Sequence, residues 1–225
     1  MHIQIYSIQT VEEALAVAEA GADRIGILVT DPTNPNHYPC EISPEDAAPI
    51  FQALKGVATS VLISVAATEE AVLQQTELLR PDVLHLCAGV KGNPAFREKL
   101  RSRCPDVALM EAVGVQDPSA VEEALRISRY ADTIILDSVD PGIAGIGAAG
   151  VTHDWSIDKT IIEMVDVPVI MAGGLGPHNV RDVLQYHPWG VDSLTRTSVV
   201  ENGRIVKKDM EKVREFCRII KEYKE

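Results

Sequence analysis

One stretch of this chain joins residue types that together could bind an anion. An apolar run of strand length ends in Gly173-Gly174, and a helix pattern with Pro177 in its first turn follows. Glycines let the backbone approach a ligand closely, and a helix start offers unpaired N–H groups and a positive dipole end. In a chain of strand–helix units, a late glycine turn of this kind is typical of phosphate binding. The alternative is a tight turn whose glycines serve packing only.

A second group of phosphate-binding candidates follows the last predicted strand. Arg196 lies between Thr195 and Thr197, and it is the only arginine at this end of the predicted strands 7 and 8. A guanidinium beside hydroxyl groups suits a phosphate dianion, which accepts charge-assisted bonds in a fork geometry. The alternative is an exposed arginine in a polar turn.

The best candidate for proton transfer is Asp137. It ends an apolar strand, Ile134-Ile135-Leu136, so its carboxyl group would emerge where that strand ends. Burial there would raise its pKa and a nearby cation would lower it, and either environment suits proton transfer. The alternative is a carboxylate that caps the following loop by accepting from its own backbone N–H groups.

Three other side chains near predicted strand ends could assist Asp137. Glu111 points either towards Asp137, forming a carboxylate pair with acid and base roles, or towards the helix layer and a lysine there. Cys87 is a catalytic candidate, although a cysteine in this position is more often a small buried hydrophobe. Tyr6 ends the first strand and is the third candidate.

A metal site could in principle be assembled from His85, Cys87, Glu111 and His153. None of them belongs to a short-spaced ligand pair of the kind that zinc sites use. The sequence therefore predicts no metal, and it predicts no cofactor.

The charge balance excludes several classes of partner. Thirty-three acidic residues against 21 basic ones give a formal charge of −12, which argues against nucleic acid and anionic membranes as partners. No stretch approaches the roughly 18 apolar residues of a membrane span, and the first residues do not resemble a signal peptide. Four widely spaced cysteines without a C-x-x-C pair fit reduced thiols, so a cytoplasmic protein is expected.

Eight strand–helix units must position these residues, and they follow one another without a linker. The predicted strands are near-continuous apolar runs, as expected for a parallel sheet that is covered on both faces. They are residues 2–6, 24–29, 60–65, 83–87, 107–113, 133–137, the apolar run before Gly173, and 191–195. The predicted helices are 11–20, one that Ser43 caps, 69–79, 94–103, 118–129, 157–165, 178–186 and 209–223, and long loops cover 30–42 and 138–155.

Eight such units favour a closed (β/α)8 TIM barrel over an open doubly wound sheet. The G-x-G-x-x-G that a dinucleotide-binding fold needs after its first strand is absent. We expect residues 1–225 to form one barrel domain, with the chemistry at the C-terminal ends of the strands.

Motifs of one known family recur along this chain almost from end to end. The matching segments are 4–9 for K-I-C-G-I-T, 18–23 for A-E-A-G-A-D, 43–47 for S-P-E-x-A, 135–137 for L-L-D, 147–155 for G-G-T-G-x-x-F-D-W, 172–180 for A-G-G-L-x-P-x-N-V, Gly190-Val191-Asp192 before the last strand, and Lys207-Lys208-Asp209 before the last helix. In these segments the chain resembles the phosphoribosylanthranilate isomerase family of tryptophan biosynthesis.

The resemblance implies a barrel of the ribulose-phosphate-binding type and an Amadori rearrangement. In that reaction an aminoaldose phosphate becomes an aminoketose phosphate; an aspartate acts as general acid on the ring oxygen and a cysteine as general base at C2. Asp137 matches the acid. The substrate is thus expected to be a phosphorylated small molecule, and the protein a monomer or a homodimer.

The departures from the family pattern fall at strand ends. Tyr6 replaces the cysteine and Gln4 the lysine before it, and 36–39 offers no counterpart to an arginine after strand 2. Residues 85–88 read His-Leu-Cys-Ala for Q-L-H-G, and 194–198 read Leu-Thr-Arg-Thr-Ser for S-S-G-V-E. A phenol, with a pKa of about 10, is a poor base at neutral pH.

Three functions therefore stay open at the level of sequence. The first is a phosphosugar isomerase with Asp137 as acid. The second is a lyase or aldolase that uses Glu111, Asp137 and Cys87. The third is a non-catalytic barrel that binds phosphometabolites through Gly173, Gly174 and Arg196.

Overall fold

The computed structural model describes residues 1–38, 40–139, 146, 152–202 and 204–223. Eight parallel strands close into a barrel in chain order, with β1 hydrogen-bonded to β8, so the predicted TIM barrel is confirmed. The strands are β1 His2–Ile5, β2 Arg24–Val29, β3 Thr59–Ser64, β4 Val83–Leu86, β5 Ala108–Val115, β6 Thr133–Ser138, β7 Val169–Met171 and β8 Gly190–Ser193.

The helices lie outside this barrel. They are α1 Val11–Ala20, α2 Pro44–Leu54, α3 Glu69–Leu79, α4 Pro94–Arg103, α5 Ser119–Ile127, α6 Trp155–Met164, α7 Val180–Leu184 and α8 Met210–Glu222. Local chemistry fixes several of their starts. The Ser43 side chain accepts from the N–H of Asp46 and Pro44 occupies the first turn of α2, as the sequence predicts. No helix in the described part of the chain has the length and apolarity to cross a membrane.

A two-stranded antiparallel hairpin follows the barrel and was not predicted. It consists of β9, Ser198–Glu201, and β10, Arg204–Lys208. The sequence does contain a signal for this hairpin. The dipeptide Asn202-Gly203 favours a tight hairpin turn, and β-branched residues stand on both sides of it.

Alternate residues of each strand face opposite sides of the barrel wall. In β5, Met110 and Ala112 belong to the apolar cluster inside the barrel, whereas Leu109 and Val113 pack in the larger cluster between barrel and helices. Successive side chains of a strand point to opposite faces, so parity along the strand decides which residues reach the mouth.

Aspartates before the even-numbered strands β2, β4 and β6 tie neighbouring strands together at the N-terminal face of the barrel. Each carboxylate accepts from a backbone N–H of the preceding strand, which would otherwise be left unpaired. The pairs are Asp23 with Ile3 at 3.2 Å, Asp82 with Ser60 at 2.7 Å and Asp132 with Leu109 at 2.7 Å. Asp132 also pairs with Arg97 Nη2 at 2.8 Å.

We expect Asp132→Ala to lower the free energy of unfolding by about 1–3 kcal/mol, because it leaves the Leu109 N–H without its acceptor and the mostly buried Arg97 without its carboxylate partner. Urea unfolding of the two proteins measures the difference. Asp106→Ala is the control, since Asp106 is exposed and makes none of these bonds; equal losses in both variants would contradict the assignment.

Candidate active site

Asp137 reaches the barrel mouth from the end of β6. It lies on the same face of the strand as the interior residue Ile135, and it is partly buried. The N–H of Ser138 donates to its Oδ1 at 2.7 Å, so the carboxylate also caps its own loop, as the alternative interpretation expected. Burial raises the pKa of Asp137 to about 7, against the lowering effects of the Ser138 N–H and of His153. Near neutral pH this group can therefore both give and take a proton.

The glycine turn shares a pocket with this carboxyl group. Gly173 and Gly174 have φ values of +85° and +62°, the left-handed region that favours glycine. The pocket lies between the ends of β6, β7 and β8. Its lining residues are Asp137, Gly173, Gly174, Leu175, Asp192, Ser193, Leu194 and Thr195.

The helix after this turn is shorter than predicted. It begins at Val180, three residues beyond Pro177, and not at residue 178. The residues before it form a hydrogen-bonded turn in which the Asn179 side chain accepts from the Gly176 N–H at 2.9 Å and donates to the Gly174 carbonyl at 3.2 Å. The glycine turn, and not the start of α7, borders the pocket of Asp137.

Asp192 is a pocket residue that the sequence analysis did not single out. Its side chain is buried and its Oδ1 accepts from Gln4 Nε2 at 3.2 Å, while Gln4 Oε1 accepts from Arg24 at 3.0 Å. Burial, and secondly the negative charge of Asp137, raise the pKa of Asp192 well above its ordinary range. Two carboxyl groups of raised pKa in one pocket can divide acid and base roles.

Glu111 does not contribute to this pocket. It lies on the outer face of β5, between Met110 and Ala112, and accepts from the Gly92 N–H at 3.1 Å. It is fully buried and its pKa is raised by that burial. The expected pair of Glu111 with Asp137 is therefore wrong, and so is the alternative of a lysine partner, because Glu111 bonds a loop N–H. Both faces of β5 are apolar, so its hydrophobic pattern does not show which way Glu111 points.

Tyr6 contacts a histidine across the barrel. Its hydroxyl lies 3.0 Å from His85 Nδ1, and both side chains are buried. Its ring packs against Gly26, where any Cβ would collide with it. Burial raises the pKa of Tyr6 well above 10 and lowers the pKa of His85 to about 3. Both groups are therefore neutral at physiological pH, which argues against Tyr6 as a base.

Cys87 follows β4 on the side of the barrel interior. Burial raises the pKa of its thiol to about 12. A thiol is a base or nucleophile only as thiolate, so this environment argues against a catalytic role. The metal site considered from His85, Cys87, Glu111 and His153 does not assemble: within the described residues, no cluster of three or more His, Cys, Asp or Glu side chains could hold an ion.

The three candidate phosphate ligands after β8 lie in three different environments. Thr195 lines the pocket. The hydroxyl of Thr197 is buried and donates to the Leu194 carbonyl at 3.2 Å, so it faces the protein and not the pocket. Arg196 lines an adjoining surface groove beside Pro177. Only one of the three predicted phosphate ligands of this segment thus borders the pocket of Asp137.

Lys208 is a second residue that the sequence analysis passed over. Its Nζ donates to the carbonyl of Tyr6, to Ser198 Oγ at 2.8 Å and to the Leu194 carbonyl at 3.4 Å. Burial lowers its pKa to about 8. This ammonium ties together the ends of β1 and β8, on both sides of the seam where the barrel closes.

Comparisons with known proteins identify the family of this chain. A family model described as N-(5'phosphoribosyl)anthranilate (PRA) isomerase matches residues 3–218. The N-(5'-phosphoribosyl)anthranilate isomerase of Methanocella arvoryzae is 33% identical over 215 residues, 95% of each chain. The structure of phosphoribosyl anthranilate isomerase from Thermotoga maritima superposes with a TM-score of 0.79 at 26% identity, covering 99% of this chain and 100% of that one.

A further solved structure shares the fold. It is phosphoribosyl anthranilate isomerase in complex with reduced 1-(o-carboxyphenylamino)-1-deoxyribulose 5-phosphate, with a TM-score of 0.77 at 24% identity, covering 99% of this chain and 100% of that one. The glycine-rich segment of the sequence resemblance, 147–151, lies outside the described residues.

Gly173→Ala tests whether the turn is sterically fixed. A Cβ at residue 173 would collide with Ser138 Oγ and lie 3.1 Å from His153 Nδ1, whereas Gly56 has a similar φ of +73° with no atom within 4 Å of its Cβ position. Both variants carry the cost of a positive φ, but only Gly173→Ala adds crowding. We expect it to lose at least about 1 kcal/mol more than Gly56→Ala in urea unfolding; equal losses would show that the turn has room.

The raised pKa of Asp137 predicts a pH dependence of stability. The folded protein retains a proton on this carboxyl group up to about pH 7, while the unfolded chain releases it near the ordinary 3.8. Stability from this group is therefore present at low pH and lost as the pH rises through about 7. Between pH 5 and 8 the wild type should lose at least about 1 kcal/mol more than Asp137→Asn. Parallel curves would contradict the shift, and Asp166→Asn, at an exposed site, is the control.

Proposed function

The chain belongs to the N-(5'-phosphoribosyl)anthranilate isomerase family, and we propose that it catalyses the isomerisation of N-(5'-phosphoribosyl)anthranilate in tryptophan biosynthesis. The observation that carries the proposal is one pocket at the barrel mouth that joins the Asp137 carboxyl to the Gly173-Gly174 turn. An acid of near-neutral pKa beside an anion-binding turn is what an aldose–ketose rearrangement of a phosphosugar requires.

The phosphate group is held by the backbone of the glycine turn, with Thr195 on the other side of the pocket. The left-handed conformation of both glycines brings their backbone to the pocket surface without an intervening side chain. These local donors are needed because the chain carries a net charge of −12, which repels an anion. The ligand bound by the structural relative above is itself a 5-phosphate, which supports this part of the proposal.

The reaction begins with a proton from Asp137 to the ring oxygen of the aminoaldose. The C1–O bond breaks and leaves an iminium ion between C1 and the anthranilate nitrogen. Removal of the C2 proton by a base gives an enolamine. The enolamine becomes the aminoketose when C1 takes up the proton that the base removed and the C2 hydroxyl releases its own proton, which replaces the one that Asp137 gave. The isomerisation is neutral in electrons, and the proton given by Asp137 stays on the former ring oxygen.

Asp192 is the base that we propose for the C2 proton. Tyr6 occupies the position of the family's cysteine, but Tyr6 and Cys87 both have pKa values raised by burial and keep their protons, and Glu111 faces the helix layer. Asp192 is the second carboxyl group of the pocket. Burial and the charge of Asp137 raise the pKa of Asp192 as well, but a carboxylic acid starts from an ordinary pKa about six units below that of a phenol. We propose that the two aspartates share one proton at the working pH, and that the reactive form carries it on Asp137 as the acid and leaves Asp192 ionised as the base.

Replacement of either aspartate should abolish most of the turnover. We expect Asp137→Asn and Asp192→Asn each to lower kcat about 10²–10⁴-fold, the usual contribution of a general acid or base. Turnover is followed by the loss of fluorescence of freshly generated phosphoribosylanthranilate. Tyr6→Phe, Cys87→Ala and Glu111→Gln test the other candidates and should stay within about tenfold of wild type. Full activity of Asp137→Asn, or loss only in Tyr6→Phe, would overturn the assignment.

The pH profile of the same reaction is a separate test. Since the acid must be protonated, kcat should fall as the pH rises through about 7, the pKa that burial gives Asp137. A profile that is flat between pH 6 and 9 would contradict this role. Asp166→Asn serves as the matched control and should keep the wild-type profile.

A further inference from the structure

A buried histidine–aspartate pair lies beside the catalytic pocket and takes no part in the reaction above. His153 Nε2 is 2.7 Å from Asp158 Oδ1, and His153 Nδ1 is 2.9 Å from Ser138 Oγ. The two side chains of the pair are 7% and 0% exposed, and neither borders the pocket of Asp137. With Nε2–H donating to the carboxylate, Nδ1 accepts from the serine hydroxyl.

Ser138 connects this pair to Asp137. Its backbone N–H donates to Asp137 Oδ1, and its side chain, on the opposite face of β6, bonds His153. The same atoms pack against the phosphate turn, because a Cβ at Gly173 would collide with Ser138 Oγ and crowd His153 Nδ1. The network therefore contacts both Asp137 and the glycine turn, on the side of these residues that faces away from the pocket.

Packing alone does not account for such a pair. A buried carboxylate with a polar partner is often no more stabilising than apolar residues of similar volume, and Asp158 Oδ2 is buried without a hydrogen-bond partner. In the F-D-W pattern of the family resemblance, an apolar phenylalanine stands at the position of His153. His153 is thus a departure of this protein at a position where the family pattern has an apolar side chain.

We propose that the His153–Asp158 pair is a positioning device: it fixes Ser138, and through the Ser138 N–H it holds the Asp137 carboxyl against the phosphate-binding turn. The inference rests on the proposed function for its kinetic consequences, but the positioning itself is a property of the folded protein. His153 and Asp158 do not touch the substrate, so they are positioning residues and not catalytic ones.

Three acidic groups in the described residues face His153. Asp158 comes from α6, Asp154 from the cap of the same helix, and Asp137 from β6. His153 lowers the pKa of Asp137, as does the Ser138 N–H, whereas Asp158 raises it more weakly. Replacement of both members of the pair removes the lowering effect of His153 and the weaker raising effect of Asp158, while a Ser138 N–H that is no longer held in place lowers the pKa of Asp137 less. The pKa of Asp137 should therefore rise.

A matched pair of variants separates the two bonds of the histidine. In His153→Asn the side-chain amide can take the place of Nδ1 and keep the hydrogen bond to Ser138. In His153→Gln the longer side chain can place its amide where Nε2 was and keep the hydrogen bond to Asp158. We expect His153→Asn to retain kcat several-fold better than His153→Gln. Equal kcat values in the two variants would overturn the proposal, since a purely structural role does not distinguish them.

A double variant removes the device while preserving the fold. In His153→Phe/Asp158→Leu both polar partners become apolar, so no charge is left buried alone. We expect a kcat about tenfold lower, a KM within about threefold of wild type, and a higher Asp137 pKa in a ¹³C NMR titration of its carboxyl carbon. Circular dichroism and the melting temperature verify folding. A folded double variant with wild-type kcat and an unchanged Asp137 pKa would overturn the inference.

The NMR titration also separates this inference from the proposed function. If the wild type fails to turn over phosphoribosylanthranilate, the proposed function is wrong, but the Asp137 titration still reports on the positioning device. Because removal of the imidazole raises the pKa of Asp137 by itself, the comparison that supports the device is a higher Asp137 pKa in His153→Gln than in His153→Asn, since both variants lack the imidazole and only the second keeps the bond to Ser138. Equal Asp137 pKa values in these two variants would contradict it.

Discussion

Desolvation of carboxyl groups at the end of a closed barrel is the constraint on which this site depends. In water Asp137 and Asp192 would both be ionised at neutral pH and useless as acids. Inside the barrel mouth burial raises the pKa of both, to about 7 for Asp137, and their proximity adds to the shift of Asp192. In the proposed mechanism the scaffold supplies acid–base chemistry mainly by excluding water, and the hydrogen bonds of Ser138 and Gln4 keep the two carboxyl groups in place.

Closure of the barrel explains why distant segments meet at this point. Parallel strands in sequence order bring the ends of β6, β7 and β8 side by side, so an acid, a glycine turn and a second carboxyl group become neighbours. The seam between β8 and β1 is closed by the buried ammonium of Lys208, which donates to carbonyls on both sides. A cation in this setting satisfies strand-end carbonyls that have no further strand to pair with.

The departures from the family pattern are mutually consistent in the folded protein. A tyrosine is much larger than the cysteine it replaces, and its ring fits because Gly26 has no side chain where the ring lies. Its hydroxyl is satisfied by His85, which stands where the family has glutamine. The two unusual residues thus provide each other's hydrogen bond in an apolar interior, where an unpaired polar group would be costly.

The sequence by itself determined the features that have local causes. Eight apolar strands that alternate with helices predicted the barrel. The sequence also indicated Asp137, because it directly follows the apolar run Ile134-Ile135-Leu136, and the turn at Gly173-Gly174, because glycine is the residue that most readily adopts a positive φ. Only the tertiary structure decided that Asp192 and not Glu111 lies beside Asp137. Both faces of β5 are apolar, so its sequence does not show whether Glu111 points into the barrel or towards the helices. The tertiary structure also decided the contacts of Tyr6 with His85 and Lys208, which lie 79 and 202 residues away along the chain. Such pairs follow from how the strands close into a barrel, and no local pattern of residues encodes that closure.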